Sequence, residues 1–84
     1  MNDVELRATI LSALINVAPE IDNIDLDSDV SFRNQVDLDS IDYLQFVLAL
    51  EKTFGTEIPD VDYPQLSSLN GALGYLKART VAAV

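Results

Sequence analysis

Ser40 is the residue whose surroundings invite chemistry. It lies in Asp37-Leu38-Asp39-Ser40-Ile41-Asp42, one serine among carboxylates, where a polar stretch meets a segment of helical periodicity. A helix start presents unpaired backbone N–H groups and favours nearby negative charge. Ser40 is therefore expected to stand exposed on a rigid platform, available to another protein or to modification. The chain holds neither histidine nor cysteine. A Ser-His-Asp hydrolase is thus excluded in its usual form for want of a base, and zinc loses both of its preferred ligand types. Asp25, Asp27 and Asp29 alternate as in a calcium loop, but counting from Asp25 puts Val30 where the glycine belongs and Val36 where the glutamate belongs. A solvated acidic loop explains them better. No Gly-rich phosphate loop occurs. A serine at a helix start is in itself ordinary local structure; with no base to activate it, the functional reading of Ser40 is an attachment point.

The elements that must position Ser40 follow from periodicity. Leu6, Ile10, Leu14 and Val17, flanked by Leu11 and Ile15, predict a helix over about Asp3 to Val17. Asn2 or Asp3 can cap it, Asn2 and Glu5 have capping-box spacing, and Ala18-Pro19 ends it. Residues 19–38 read as a long connection, which Ile21, Ile24, Leu26, Val30, Phe32, Val36 and Leu38 should pin to the core. The second helix is expected from Ser40 to Phe54, with Asp39 as N-cap, Asp42 favouring the dipole and Gly55 closing it. Its wide apolar arc (Ile41, Leu44, Phe46, Val47, Leu48, Ala49, Leu50, Phe54) suggests several neighbours. After Glu57-Ile58-Pro59-Asp60, Asp60 or Asp62 should cap a short turn through Tyr63-Pro64-Gln65-Leu66, with the proline in its first turn. Ser67 or Ser68 should cap a last helix bearing Leu69, Ala72, Leu73 and Leu76, with Lys77 and Arg79 near its C-terminus. Val81 to Val84 are expected to fray.

Eighty-four residues fit one domain, 1–84, with a small core. The absence of cysteine fits a reducing compartment. The N-terminus lacks the basic and apolar regions of a signal peptide, and no apolar run approaches the ~20 residues of a membrane span. A cytoplasmic monomer is expected. Fourteen acids against five bases give a net charge of −9. That surface repels nucleic acid and attracts basic protein faces, although acidity also serves solubility alone.

Asp39-Ser40-Ile41-Asp42-Tyr43-Leu44, followed by Phe46-Val47-Leu48-Ala49-Leu50-Glu51-Lys52-Thr53-Phe54-Gly55 and Glu57-Ile58-Pro59-Asp60, resembles the acyl carrier proteins. Their hallmark is Asp-Ser-Leu or Asp-Ser-Ile opening a helix of this form, then Glu-Ile-Pro-Asp, and the likeness covers nearly the whole chain. It implies an all-α four-helix bundle of three main helices, a short third helix and a long first loop. It also implies a 4′-phosphopantetheine arm on Ser40, installed by a phosphopantetheinyl transferase and ending in a thiol that carries acyl groups as thioesters. Such a protein is a carrier, not an enzyme. Asp39 would orient the site. Asp37, Asp42, Glu51, Glu57 and Asp60 would attract basic docking patches on acyl-loading and acyl-processing enzymes, and Tyr43 and Leu44 would add apolar contacts; for Val47 core packing is the better reading. Family members also sequester acyl chains among their helices. Ala49, Gly71, Ala72 and Gly74 offer room for that, though tight helix packing explains them equally well.

The chain departs from the family pattern at three positions. Asp37 stands where a glycine is usual, and Gln45 and Lys52 stand where fatty-acid carriers often have glutamates. A less acidic recognition helix suggests a dedicated pathway of lipid or secondary-metabolite synthesis with its own partners. A peptidyl or D-alanyl carrier is the alternative within this class. An unmodified acidic adaptor binding basic partners is the alternative outside it.

Overall fold

Three stretches carry both helical periodicity and clean end signals, and each becomes a long helix in the computed structural model, which describes residues 2–23 and 25–82. Helix α1 spans Asp3–Val17. Its N-cap is Asn2, whose Oδ1 accepts from the Glu5 N–H at 2.8 Å. Leu6, Ile10, Ala13 and Leu14 are buried, and Leu11, Ile15 and Val17 pack half-buried around them.

The 19–38 segment is more structured than a plain connection. It contains a 3₁₀ turn, Pro19–Asn23, and a one-turn helix α2, Phe32–Gln35. Ile21, Phe32 and Leu38 are buried, and Leu26 and Val36 pack against the core, so the apolar punctuation anchors the segment as expected; Ile24 lies outside the described residues. Polar ties made across long sequence separations hold the rest. Arg7 Nη2 donates to Ser28 Oγ at 2.6 Å, Asn70 donates from its backbone to Ser28 O and from its side chain to Asp29, and Phe32 N–H donates to Ser67 O at 2.8 Å. Gln35 bridges the Asp27 and Val30 carbonyls. Asp27 and Asp29 thus fold and fasten the loop.

Helix α3 spans Ser40–Phe54 and ends at Gly55, whose φ of 61° and ψ of 33° place it in the left-handed region. The wide apolar arc expected to touch several neighbours is only partly inward. Phe46, Val47 and Leu50 are buried, whereas Ile41 is 67%, Leu44 43% and Leu48 51% exposed. Helix α3 packs on α1 along one side, and the opposite apolar stripe is left on the surface. Val47 is core, as expected.

A 3₁₀ segment, Asp60–Leu66, takes the place of the short third helix. Neither Asp60 nor Asp62 caps it. Pro59 occupies the N-cap, held by its ring at φ −62°, and its carbonyl accepts from the Asp62 N–H at 2.9 Å. Pro64 falls inside the segment, not in a first turn; tight, short 3₁₀ structure accommodates what a continuing α-helix would not.

Helix α4 spans Leu69–Ala82, so helix continues through two residues expected to fray; Ala83 and Val84 lie outside the described residues. Ser68 serves its start, its Oγ accepting from the Gly71 N–H at 3.1 Å. Leu69, Ala72 and Leu76 are buried, and Leu73 is half-buried. Helix α1 contacts both α3 and α4, and the 3₁₀ segment lies against α4. The fold is all-α, with α1, α3 and α4 packed around one cluster of buried side chains and no strand among the described residues.

The two glycines of α4 differ sharply. A Cβ on Gly71 would lie 2.5 Å from the Gln65 carbonyl oxygen, while one on Gly74 would meet nothing within 4 Å. Gly71→Ala is expected to destabilise the protein by about 1–3 kcal/mol through overpacking. Gly74→Ala should stabilise it by about 1 kcal/mol. Urea unfolding midpoints at unchanged slope measure both.

Candidate functional site

Helix α3 begins at Ser40, and its first turn is built by two carboxylates. Asp39 Oδ1 accepts from the Asp42 N–H at 2.8 Å, and Asp42 Oδ2 reaches back to the Asp39 N–H at 3.4 Å. This is a reciprocal capping box, closed by Asp residues at both ends. Asp39 O then accepts from the Tyr43 N–H at 2.9 Å, starting the helical ladder. Buried Leu38 anchors the entering chain on one side and Phe46 anchors the helix on the other. The Ser40 and Ile41 N–H groups remain as the outward donors of the helix start.

Ser40 is exposed, and its hydroxyl makes no hydrogen bond among the described residues. The other serines are placed differently. Ser28 accepts from Arg7 and Ser68 caps α4, Ser31 and Ser67 are half-buried, and Ser12 lies within α1. Ser40 is the exposed serine at a helix start.

Asp37 is exposed beside this turn. Among the described residues positive φ occurs only at Gly55. The turn entering α3 therefore needs no left-handed residue, and an aspartate fits where the resemblance leads one to look for glycine.

The remaining acids gather at the other end of α3. Glu51 is half-buried, and its Oε2 accepts from the Ile58 N–H at 3.1 Å, so it fastens the chain leaving α3. Glu57 and Asp60 are exposed on either side of Ile58-Pro59. Asp37, Asp39 and Asp42 thus form one acidic group and Glu51, Glu57 and Asp60 a second, separated by roughly 17 Å along the helix. Gln45 and Lys52 are exposed on the same helix and dilute its charge.

Sequence reasoning named Leu44 but missed its companions. Ile41, Leu44 and Leu48 recur at i, i+3 and i+7 on the exposed face, and Val61 on the 3₁₀ segment is 80% exposed. Their spacing was visible, but in a helix apolar on so many positions it did not reveal which stripe stays uncovered.

Tyr43 is half-buried one turn into α3. Its hydroxyl donates to the Tyr63 carbonyl, and its ring lies 6.2 Å from that of Phe46. Burial pushes the Tyr43 hydroxyl up to about 12, with the Arg33 charge acting in the opposite direction. Asp62 turns toward α4, accepting from Tyr75 Oη at 2.7 Å and from Arg79 Nη2 at 3.2 Å. Partial desolvation, with the hydrogen bond to Asp62, raises the Tyr75 hydroxyl, and the Arg79 charge opposes this.

The family profile described as "Phosphopantetheine attachment site" matches residues 8–76. A protein named "Acyl carrier protein" from Lactobacillus johnsonii is 38% identical over 68 residues, 81% of this chain and 85% of the relative. A second of that name from Lactobacillus acidophilus is 37% identical over 59 residues, covering 70% and 74%. A third from Acidothermus cellulolyticus is 33% identical over 73 residues, 87% of each.

Asp39→Ala removes the acceptor for the Asp42 N–H and is expected to cost about 1 kcal/mol of stability. Loss of amide-exchange protection in the first turn of α3, with α4 unchanged, would localise the effect. Tyr43 makes stability depend on alkaline pH. Between pH 10 and about 12 the unfolded chain has released this proton and the folded chain keeps it. The contribution is therefore full below pH 10 and lost as pH rises through about 12. Chemical denaturation across this window should show a shallower decline for Tyr43→Phe than for the wild type.

Proposed function

The chain belongs to the acyl carrier protein family, and on that premise we propose that Ser40 bears its 4′-phosphopantetheine and that the protein shuttles acyl intermediates of a dedicated lipid or secondary-metabolite pathway. Acyl carrier proteins are non-catalytic, and their prosthetic group is 4′-phosphopantetheine. When bound, the group supplies a terminal thiol that holds an acyl chain as a thioester.

The observation that carries the reading is the exposed, uncommitted Ser40 hydroxyl on the capped N-terminus of α3. The residues present fit the group. The outward N–H groups of Ser40 and Ile41 and the positive end of the helix dipole suit a phosphodiester. Asp39 and Asp42 each direct a carboxylate oxygen to a backbone N–H, which reduces their repulsion of that phosphate. No base stands ready in the chain, so proton removal from Ser40 falls to the transferase.

Partner enzymes, in this reading, dock along α3 from Ser40 to Glu51 and onto Glu57 and Asp60. Asp37, Asp42, Glu51, Glu57 and Asp60 meet basic side chains. Tyr43 and Leu44, joined by Ile41 and Leu48, meet an apolar centre. Basic patches steer encounter, while apolar contacts at the centre carry affinity. Gln45 and Lys52 lower the acidity of this face and favour partners other than those of general fatty-acid synthesis. The cytoplasm is the proposed place of action. No helix among the described residues is long and apolar enough to cross a membrane.

Coexpression with a phosphopantetheinyl transferase of broad specificity tests the attachment. The intact mass should rise by one prosthetic group, and Ser40→Ala should abolish the increase while leaving circular dichroism unchanged. No increase with several competent transferases, or an increase that survives Ser40→Ala, would contradict it.

A further inference from the structure

Of the small residues on α4, Gly71 brings two backbones together. Gly71 admits the Gln65 carbonyl to where its Cβ would be, and Ala72 is fully buried. The seam between α3 and the chain that follows it, residues 58–66, is hydrogen-bonded at two points. Near Ser40, the Tyr43 hydroxyl donates to the Tyr63 carbonyl. At the far end, the Ile58 N–H donates to Glu51 Oε2 at 3.1 Å. On its other side the segment is tied to α4, where Asp62 accepts from Tyr75 and Arg79, Arg79 Nη1 donates to Glu57 O at 3.0 Å, and the guanidinium lies 4.6 Å from the Tyr75 ring centroid.

Aromatic rings pack against Tyr43 and against one another. Phe46 is fully buried, with its ring 5.5 Å from that of Phe32 in an edge-on arrangement and 6.2 Å from Tyr43. Ile58, before the segment, and Leu66, at its end, are buried. A surface cleft of about 290 Å³ is lined by α1, the first loop and Leu69, with no wall from α3.

We propose that this carrier keeps its acyl cargo outside the helices, and that Tyr43, by its ring and its bond to Tyr63, is the residue that excludes it. Entry beside Ser40 would require the Tyr43 hydroxyl to leave the Tyr63 carbonyl and its ring to leave Phe46, at the cost of a half-buried hydrogen bond and a ring contact. Burial has pushed that hydroxyl up to about 12, so it remains a donor at neutral pH. An apolar chain left in water is disfavoured in proportion to its methylenes. The cargo class that fits is therefore short acyl groups, or longer ones carrying oxygen or nitrogen substituents. The inference rests on the reading of Ser40 as the attachment point.

The test uses holo-protein loaded with butyryl, octanoyl or dodecanoyl groups by a transferase acting on the acyl-coenzyme A. Cleavage of the thioester by hydroxylamine is followed by intact mass. The three wild-type thioesters should cleave within about twofold of one another, because none is shielded. In Tyr43→Ala the octanoyl thioester should cleave at least about fivefold more slowly than in the wild type, and in Tyr43→Phe at least about twofold, as methylenes gain shelter. Wild-type protection that grows about fivefold or more from butyryl to dodecanoyl would overturn the proposal, wherever in the molecule the chain lodged. So would folded variants that shield octanoyl no better than the wild type. If Tyr43→Ala fails to fold, the wild-type series and Tyr43→Phe decide. A chain that never gains the arm is a failure of the Ser40 reading instead, visible in the mass before any acyl group is loaded.

Discussion

The way α3 begins governs the site. A helix must dispose of its first unpaired N–H groups, and here the Asp39 and Asp42 carboxylates each take a backbone donor of the first turn. The reciprocal bonds fix the path of residues 39–42, and that path projects Ser40 outward. Leu38 and Phe46, buried on either side of the turn, fasten it to the core. The same arrangement leaves the Ser40 and Ile41 N–H groups without an intrahelical acceptor, so geometry and electrostatics come from one device.

Several of the fourteen acids behind the net charge of −9 have distinct jobs. Asp27 and Asp29 fold and fasten the first loop, and Asp62 ties the 3₁₀ segment to α4. Glu51 restrains the chain after α3. Asp37, Glu57 and Asp60 are exposed, with no side-chain bond among the described residues, and Ile41, Leu44 and Leu48 are exposed on α3. These exposed acids and apolar side chains are what the proposed docking of basic partners would use. The opposite face of α3 does the reverse work, with Phe46, Val47 and Leu50 filling the interior.

Whatever depends on residues close in the chain was legible in the sequence. The ends of α1 and α3, the Asn2 and Asp39 caps and the left-handed Gly55 all obey rules spanning three or four residues. The Asp-Ser-Ile and Glu-Ile-Pro-Asp segments carried the family resemblance for the same reason. What required tertiary partners was not legible. The loop from Ser28 into the turn Phe32–Gln35 is held by Arg7, Asn70 and the Ser67 carbonyl, which lie far off in sequence. The apolar arc of α3 could not be divided into inner and outer faces without knowing that α1 packs along one side. Asp62 has the composition of a cap, yet Pro59 already held that position and Arg79 offered the carboxylate another partner.

The proposed function depends first on the residue that bears the prosthetic group. The most direct measurement is tandem mass spectrometry of peptides from the protein isolated from its own cells, locating the group by its characteristic loss. The account predicts a single phosphopantetheine on the peptide containing Ser40, at Ser40 itself, with Ser12, Ser28, Ser31, Ser67 and Ser68 unmodified. The group found on any other residue, or a protein recovered without it from cells whose other carriers are fully loaded, would contradict it.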